Sequence, residues 1–147
     1  MRDFRIEVEI QAPPALVWGI MRDVTRWHEW TPTVTSIRLL DRGPLAVGTR
    51  AIVRQPKLPP AKWRVTELDE SRMTFTWVSR GPGVLVIARH GVEASRKGSR
   101  ATLSLQYTGI LANLFAYLTR GVNDRYLALE AAGLAAASRR AFAGSAP

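Results

Sequence analysis

Cysteine is absent from all 147 residues. Its absence removes disulfides, thiolate nucleophiles and cysteine metal sites together, and it fits a reducing, cytoplasmic setting. Histidine is scarce as well. With His28 and His90 alone, a three-ligand metal site would need carboxylates that the sequence does not cluster. His28 stands beside Glu29, but HEWTP lacks the second histidine of a zincin helix, so no metal and no other cofactor is expected. No Gly-x-Ser-x-Gly elbow occurs, which leaves nucleophilic catalysis without a candidate. A P-loop is missing too, and Gly81-Pro82-Gly83 reads as a hairpin turn because no helix follows it to face a phosphate.

Acidic residues are few: 12 against 21 Lys and Arg, for a formal net charge of +9 and a sequence pI near 11.2. That balance raises nucleic acid or an anionic membrane as partners. The spacing favours a solvated basic face instead. Arg50, Arg54, Lys62 and Arg64 stand singly, and the adjacent pairs are Arg96-Lys97 and Arg139-Arg140. One stretch is different, since six basic residues and no acidic one lie between Asp41 and Glu67. Nucleic acid is still not the expected partner; transient membrane contact stays open. The opening MRDFRIEVEI has an acid at its third residue and alternates, so it does not read as a signal peptide. Residues 101–119 carry no charge, which is about the length of a membrane span. ATLSLQYT nevertheless alternates like a strand, and Gly109 interrupts before a helical pattern begins. A strand followed by a helix is expected there, not a transmembrane segment.

What the chain has is core material. Apolar residues make up 46% of it, with five Trp, four Phe and three Tyr. Its length suits a single domain over 1–147 that buries roughly two-thirds of its unfolded surface. Phe4, Ile6, Val8 and Ile10 alternate with Arg5, Glu7 and Glu9, the period-two signature of a half-buried strand. Pro14 suits the first position of a helix, where no amide hydrogen is needed. Val17, Ile20 and Met21 follow at helical spacing, and Asp23 is placed to cap a second short helix over 24–29. Alternating segments come next at 34–42, 49–54, 61–68, 73–79, 84–94 and 100–108, most of them separated by Gly- or Pro-bearing turns. Such spacing predicts a meander of hairpins, seven strands in all. Residues 111–140 close the chain as one helix. Its apolar stripe reads Leu111, Phe115, Leu118, Val122, Tyr126, Leu129, Gly133 and Ala136, with a bend allowed at Gly121.

The stretches IEVEIQAPPALVWGIMRDVTRWHEWTPTV, VGTR (47–50) and ARHGVEASRKGSRATLSLQYTGIL (88–111), with the terminal amphipathic helix, resemble the START-like superfamily. This superfamily is also called SRPBCC, and within it the likeness is to the polyketide cyclase/dehydrase-like group. The resemblance covers nearly the whole chain. It implies an α+β helix-grip fold: a seven-stranded antiparallel sheet wrapped around a long C-terminal helix, with two short helices after the first strand. It also implies a cavity between sheet and helix. The glycine-rich loop of plant allergen-type members is missing from 42–48, RGPLAVG, and the iron–sulfur and metal motifs of ring-hydroxylase members are missing too. Members span cyclases, lipid-transfer domains and quinone binders, so the fold does not set the activity.

On such a sheet, hairpin registers estimated from the turns place Trp63 near Trp77, Phe75 near Ala88, Met73 near His90, and Ala88 near Tyr107. A one-residue slip would reverse every face. The concave face then carries Trp63, Phe75, Trp77, His90, Leu105 and Tyr107. With Trp27 at the mouth and Phe115, Leu118 and Val122 from the helix, these are the candidate ligand-binding residues around a cavity of roughly 300–1,000 Å³. A solid aromatic core is the alternative. Trp30 reads as an anchor closing the helix pair onto the sheet. Arg64 and Arg89 fall on the outward face, and Arg54 is undecided.

His90 and Tyr107 are the candidate catalytic pair. An inward His90 suits a ligand hydrogen bond, acid–base work in enolisation or dehydration, or a structural bond to backbone or to Tyr107. Three functions follow. The first is a cyclase or dehydratase acting on a poly-β-keto or related substrate. The second is a non-catalytic carrier or sensor of lipid, quinone or isoprenoid, and the third an RNA- or ribosome-associated module using the basic region. A pair of inward ionisable groups would favour the first, and the sequence offers His90 alone. The expected partner is a hydrophobic small molecule, bound by a monomer or homodimer.

Overall fold

The structure, a computed structural model, describes residues 2–145. Strand β1 (Arg2–Ile10) leads into helix α1 (Pro14–Arg22) and a 3₁₀ helix (Val24–Glu29). Strands β2 (Ser36–Leu39), β3 (Arg50–Arg54), β4 (Ala61–Asp69), β5 (Thr74–Gly81), β6 (Val84–Ser95) and β7 (Gly98–Thr108) follow, and helix α2 (Ala112–Ser145) ends the chain. All seven strands form one antiparallel sheet in the order β1-β7-β6-β5-β4-β3-β2. Consecutive strands pair from β2 to β7, and β1 returns beside β7. The expected helix-grip is therefore the observed fold, with α2 lying across β1, β7 and α1.

Local chemistry accounts for the elements. Pro13 is extended and Pro14 opens α1, which buries Val17, Trp18 and Met21. Its far side is tied to the β4–β5 turn: the Trp18 indole donates to Glu70 at 2.7 Å, and Arg22 pairs with the same carboxylate at 2.7 Å. Asp23 precedes the 3₁₀ helix but makes no side-chain cap bond. Its carboxylate accepts from Thr25 Oγ1 instead, at 3.3 Å. The expected capping role is therefore not filled. Met73 has φ 55 and belongs to the β4–β5 turn, so β5 starts one residue later than the alternation suggested.

The registers differ from expectation in a regular way. Phe75 pairs with His90, Trp77 with Ala88, Ala88 with Leu105 and Val86 with Tyr107, each two residues from the expected partner. The β5–β6 turn centres on Pro82-Gly83, and Gly83 adopts φ +71. A slip of two keeps every side chain on its face, because the strand period is two. Between β4 and β5 the register shifts at Thr66: Val65 faces Trp77, whereas Leu68 faces Phe75. This bulge lets residues of opposite parity, Leu68 and Trp63, both turn to the core.

Helix α2 runs unbroken through Gly121 but buries a different face from the expected stripe. Its core residues are Ala112, Ala116, Asn123, Leu127, Ala131, Leu134, Ala135 and Ser138, about one position on from the stripe. Leu118 is 66% exposed and Leu114 52%. Small residues face inward because α2 lies close to the sheet and to the segment after the 3₁₀ helix. Closest of all is Gly133, where a β-carbon would overlap the Trp30 carbonyl oxygen. A second constrained glycine, Gly109 (φ +110), turns β7 into α2, and a β-carbon there would lie 2.6 Å from the Gly83 oxygen.

The two helix glycines give opposite expectations. Gly133→Ala forces α2 away from Trp30 and should cost about 1–3 kcal/mol, the range of an overpacked core. Gly121→Ala adds a methyl where no atom lies within 4 Å, and should stabilise by up to about 1 kcal/mol through helix propensity. Urea denaturation of the two variants measures both. Equal effects would mean that the Trp30 contact does not limit packing.

Candidate functional site

Between the concave face of the sheet and α2 lies a cavity of about 220 Å³. Strands β4 to β7 supply Trp63, Trp77, Ala88, His90, Leu105 and Tyr107, and the 3₁₀ helix supplies Trp27. Asn123, Tyr126, Leu127 and Glu130 form the helical wall, while Gln55, Leu58 and Pro59 of the β3–β4 loop carry the lining outward to the surface. The Tyr126 hydroxyl donates to the Pro56 carbonyl, fastening that loop to α2. The volume falls below the expected range because three indoles project into the space.

Of the residues proposed from sequence, Trp27, Trp63, Trp77, His90, Leu105 and Tyr107 reach the cavity. Phe75 does not: fully buried, it stacks against the His90 ring at 4.2 Å and 8°. Phe115 and Val122 also lie outside the lining, and Leu118 points to solvent, the consequence of the displaced helix face. Phe115 packs with Val84, Tyr107, Ala112 and Ala116 in a separate small cluster. Arg54, Arg64 and Arg89 are all exposed, away from the cavity. Glu29 is held bidentately by Arg26, at 2.9 Å to each carboxylate oxygen, and His28 is exposed.

His90 is 6% exposed, and its ring lies 5.4 Å from Trp27 and 6.0 Å from Trp77. Burial pushes its imidazole down to about 4, with a hydrogen bond to the Phe75 backbone opposing the shift. The ring is therefore neutral at pH 7, and its Nδ1 has no hydrogen-bond partner. A second orphan is the indole N–H of Trp63, equally buried and unpaired. Tyr107 is different. Its hydroxyl accepts from Asn123 Nδ2 at 3.0 Å and sits 3.1 Å from Thr119 Oγ1. Thr119 itself donates to the Phe115 carbonyl at 2.7 Å, so the phenol proton is already engaged with α2. No hydrogen bond links Tyr107 to His90.

Glu130 is the residue that sequence reasoning missed. It faces the cavity from α2 and accepts from Thr33 Oγ1 at 3.0 Å, which in turn lies 2.9 Å from Thr31 Oγ1. Desolvation raises its carboxyl to about 7, against the smaller pull of the Thr33 hydrogen bond. A signal was present in the sequence. Glu130 is the one charged residue between Arg125 and Arg139, in a run of alanine and leucine. His90 on the sheet and Glu130 on the helix thus form opposite walls of one cavity. Between about pH 4 and 7 the first is an unprotonated acceptor and the second a protonated donor. Among the described residues no group of three or more His, Asp or Glu comes together as a metal site.

The shape, a sheet closed around a long helix with a hollow between them, is that of the helix-grip fold. The chain belongs to the polyketide cyclase/dehydrase and lipid transport family, whose profile matches residues 1–139. No curated protein sequence matches it. Among solved structures it is similar to a Thermobifida fusca protein determined by NMR, at 22% identity and a TM-score of 0.78 over 95% of both chains. It is also similar to the Zhui aromatase/cyclase from Streptomyces sp. R1128, at 17% identity and a TM-score of 0.76 over 99% of both. A Thermus thermophilus protein matches at 20% identity and a TM-score of 0.74 over 99% of this chain and all of that one.

The two shifted groups predict an unusual pH profile of stability. His90 titrates lower when folded than its ordinary 6.5, so its contribution is present above pH 6.5 and lost as pH falls towards 4. Glu130 titrates higher than its ordinary 4.5, so its contribution is present below 4.5 and lost as pH rises through 7. From pH 4.5 to 6.5 the two slopes cancel, and stability should be nearly flat. Glu9, Glu29, Asp41 and Asp69 titrate below their ordinary values and act beneath that window. In Glu130→Gln, stability should rise with pH across the window by up to about 1.4 kcal/mol per unit. In His90→Gln it should fall at a similar rate. Chemical denaturation every half unit checks this, and parallel profiles for the two variants would refute the assignment.

Proposed function

We propose that the protein binds a compact, uncharged, mainly apolar molecule bearing oxygen acceptors, and that His90 and Glu130 perform acid–base chemistry on it. The observation that carries the binding reading is the pair of unpartnered buried nitrogens, Trp63 Nε1 and His90 Nδ1, in a cavity walled by indoles. A buried unpaired donor costs roughly 1–3 kcal/mol, which a ligand carbonyl or hydroxyl at Trp63 would relieve. Size narrows the class. At about 30 Å³ per water molecule, the cavity holds the equivalent of some seven waters. That is room for one or two rings, and too little for a long folded polyketide chain unless the Tyr126–Pro56 fastening opens.

Glu130 favours catalysis over passive carriage, since it supplies the second inward ionisable group. Neutral His90 would accept a proton from the carbon beside a ligand carbonyl. Protonated Glu130 would deliver one to a departing hydroxyl, which leaves as water, the electron pair of the broken C–H bond becoming the new double bond. Aromatic walls would hold the reacting ring in place. The carrier reading keeps one favourable observation, the commitment of the Tyr107 hydroxyl to Asn123 and Thr119.

Native mass spectrometry of freshly purified protein should reveal a co-purified molecule of one or two rings, with affinity reduced about tenfold in Trp63→Phe, which keeps an aromatic wall but removes the indole N–H along with part of the indole's volume. On a β-hydroxy ketone related to that molecule, Glu130→Gln should bind normally and turn over about two to four orders of magnitude more slowly. Wild-type activity should decline above pH 7 as Glu130 ionises. Binding without turnover in the wild type would leave the carrier reading standing.

A further inference from the structure

The strand ends that surround the cavity mouth form a surface with its own chemistry. In this antiparallel sheet the β3–β4 loop, the β5–β6 turn and the link from β7 to α2 all emerge at the same end. Leu111 N–H donates to the Gly83 oxygen at 2.8 Å, so the last two are physically joined. Aliphatic side chains there face outward: Ile110 is 92% exposed, Leu118 66% and Leu114 52%. Segments 54–62, 79–85 and 107–120 carry Arg54, Lys57, Lys62, Arg80 and Arg120 and no acidic residue. All five basic residues are exposed. The acids nearest this end are Asp3 on β1 and Asp124 one turn beyond Arg120.

We infer that this end of the molecule docks onto an anionic lipid bilayer, with the first two turns of α2 and Ile110 entering the headgroup region and the basic residues facing lipid phosphates. An uncharged helix face beside cations is the pattern that binds anionic interfaces. Charge complementarity decides the occupant. A second copy would bring another +9 chain against the first, whereas an anionic bilayer supplies both the apolar phase and the opposite charge. Nucleic acid matches the charge alone: the patch is aliphatic, and its exposed aromatic, Tyr117, lies under the Arg120 guanidinium at 4.0 Å, leaving no open ring for base stacking. The orientation also has a use. Leu58 and Pro59, which line the cavity, lie at the same end, so an apolar molecule would pass between bilayer and cavity without crossing water.

Co-sedimentation of the full chain with vesicles tests the inference and needs no cavity ligand, so it can fail while the cavity reading stands. Phosphatidylcholine vesicles containing about 30% phosphatidylglycerol should bind the protein, and phosphatidylcholine alone should not. Binding should weaken strongly between about 0.1 M and 0.5 M salt. Leu114→Gln with Leu118→Gln should lower partitioning at least about tenfold, and Lys57→Glu with Arg80→Glu by a similar factor. These residues are exposed, and melting by circular dichroism should show both pairs folded. Absence of binding to anionic vesicles overturns the inference, as does unchanged partitioning of folded leucine variants. A concentration-dependent dimer that the leucine changes dissociate, without vesicle binding, would assign the patch to a second copy. Retention on DNA at about 0.15 M salt without vesicle binding would assign the basic residues to nucleic acid.

Discussion

Close approach between α2 and the segment after the 3₁₀ helix governs the interior of this protein. Gly133 lets the helix come down onto the Trp30 carbonyl, and one turn earlier Glu130 meets Thr33. The helix's next attachments are Tyr126 to the Pro56 carbonyl, and Asn123 and Thr119 to Tyr107. Nearer its start Ala112 and Ala116 are buried beside Val84 and Tyr107, so the helix is held on both sides of the cavity, which lies beneath Asn123, Tyr126, Leu127 and Glu130. A larger residue at position 133 would push this part of the helix off Trp30, so a glycine outside the cavity limits how closely the helix closes beside it.

The same desolvation acts on His90 and Glu130 with opposite sign on the pKa scale and the same effect on charge. Imidazolium is disfavoured on one wall and carboxylate on the other, so near pH 6 the lining is electrically neutral. Neutral walls suit an uncharged ligand. They also keep acid and base from quenching one another as an ion pair, which would leave neither free for chemistry.

The sheet was legible in the sequence because alternation survives error. Estimated registers for Phe75, Ala88 and Tyr107 were each displaced by two, and all still pointed to the correct side. Sheet-borne cavity residues such as Trp63, Trp77 and His90 were therefore within reach. The helix was not. Its inward face is mainly alanine, with Asn123, Ser138 and two leucines, while Leu114 and Leu118 look outward, so hydrophobicity named the wrong stripe. Leu118 and Val122 were misplaced for this reason, and Glu130, lying off the presumed stripe, was passed over. Phe75 was assigned to the correct face but to the wrong layer, since stacking beneath His90 is a contact that periodicity cannot express.

The bulge at Thr66 acts as a phase shifter in the sheet. Towards the β4–β5 turn, inward residues on β4 have even numbers, and on the other side of the bulge odd ones. Were Thr66 instead paired as an ordinary strand residue, half of the strand would rotate, turning Trp63 out to solvent and Lys62 and Arg64 in towards the hollow. The hydrophobicity of the sequence would be almost unchanged, yet the interior would become cationic. Apart from loss of Thr66 itself, which leaves every other side chain on its face, insertions and deletions in β4 should therefore be far rarer among functional variants than substitutions at the cavity wall, because the frame of one strand determines whether there is an apolar chamber at all.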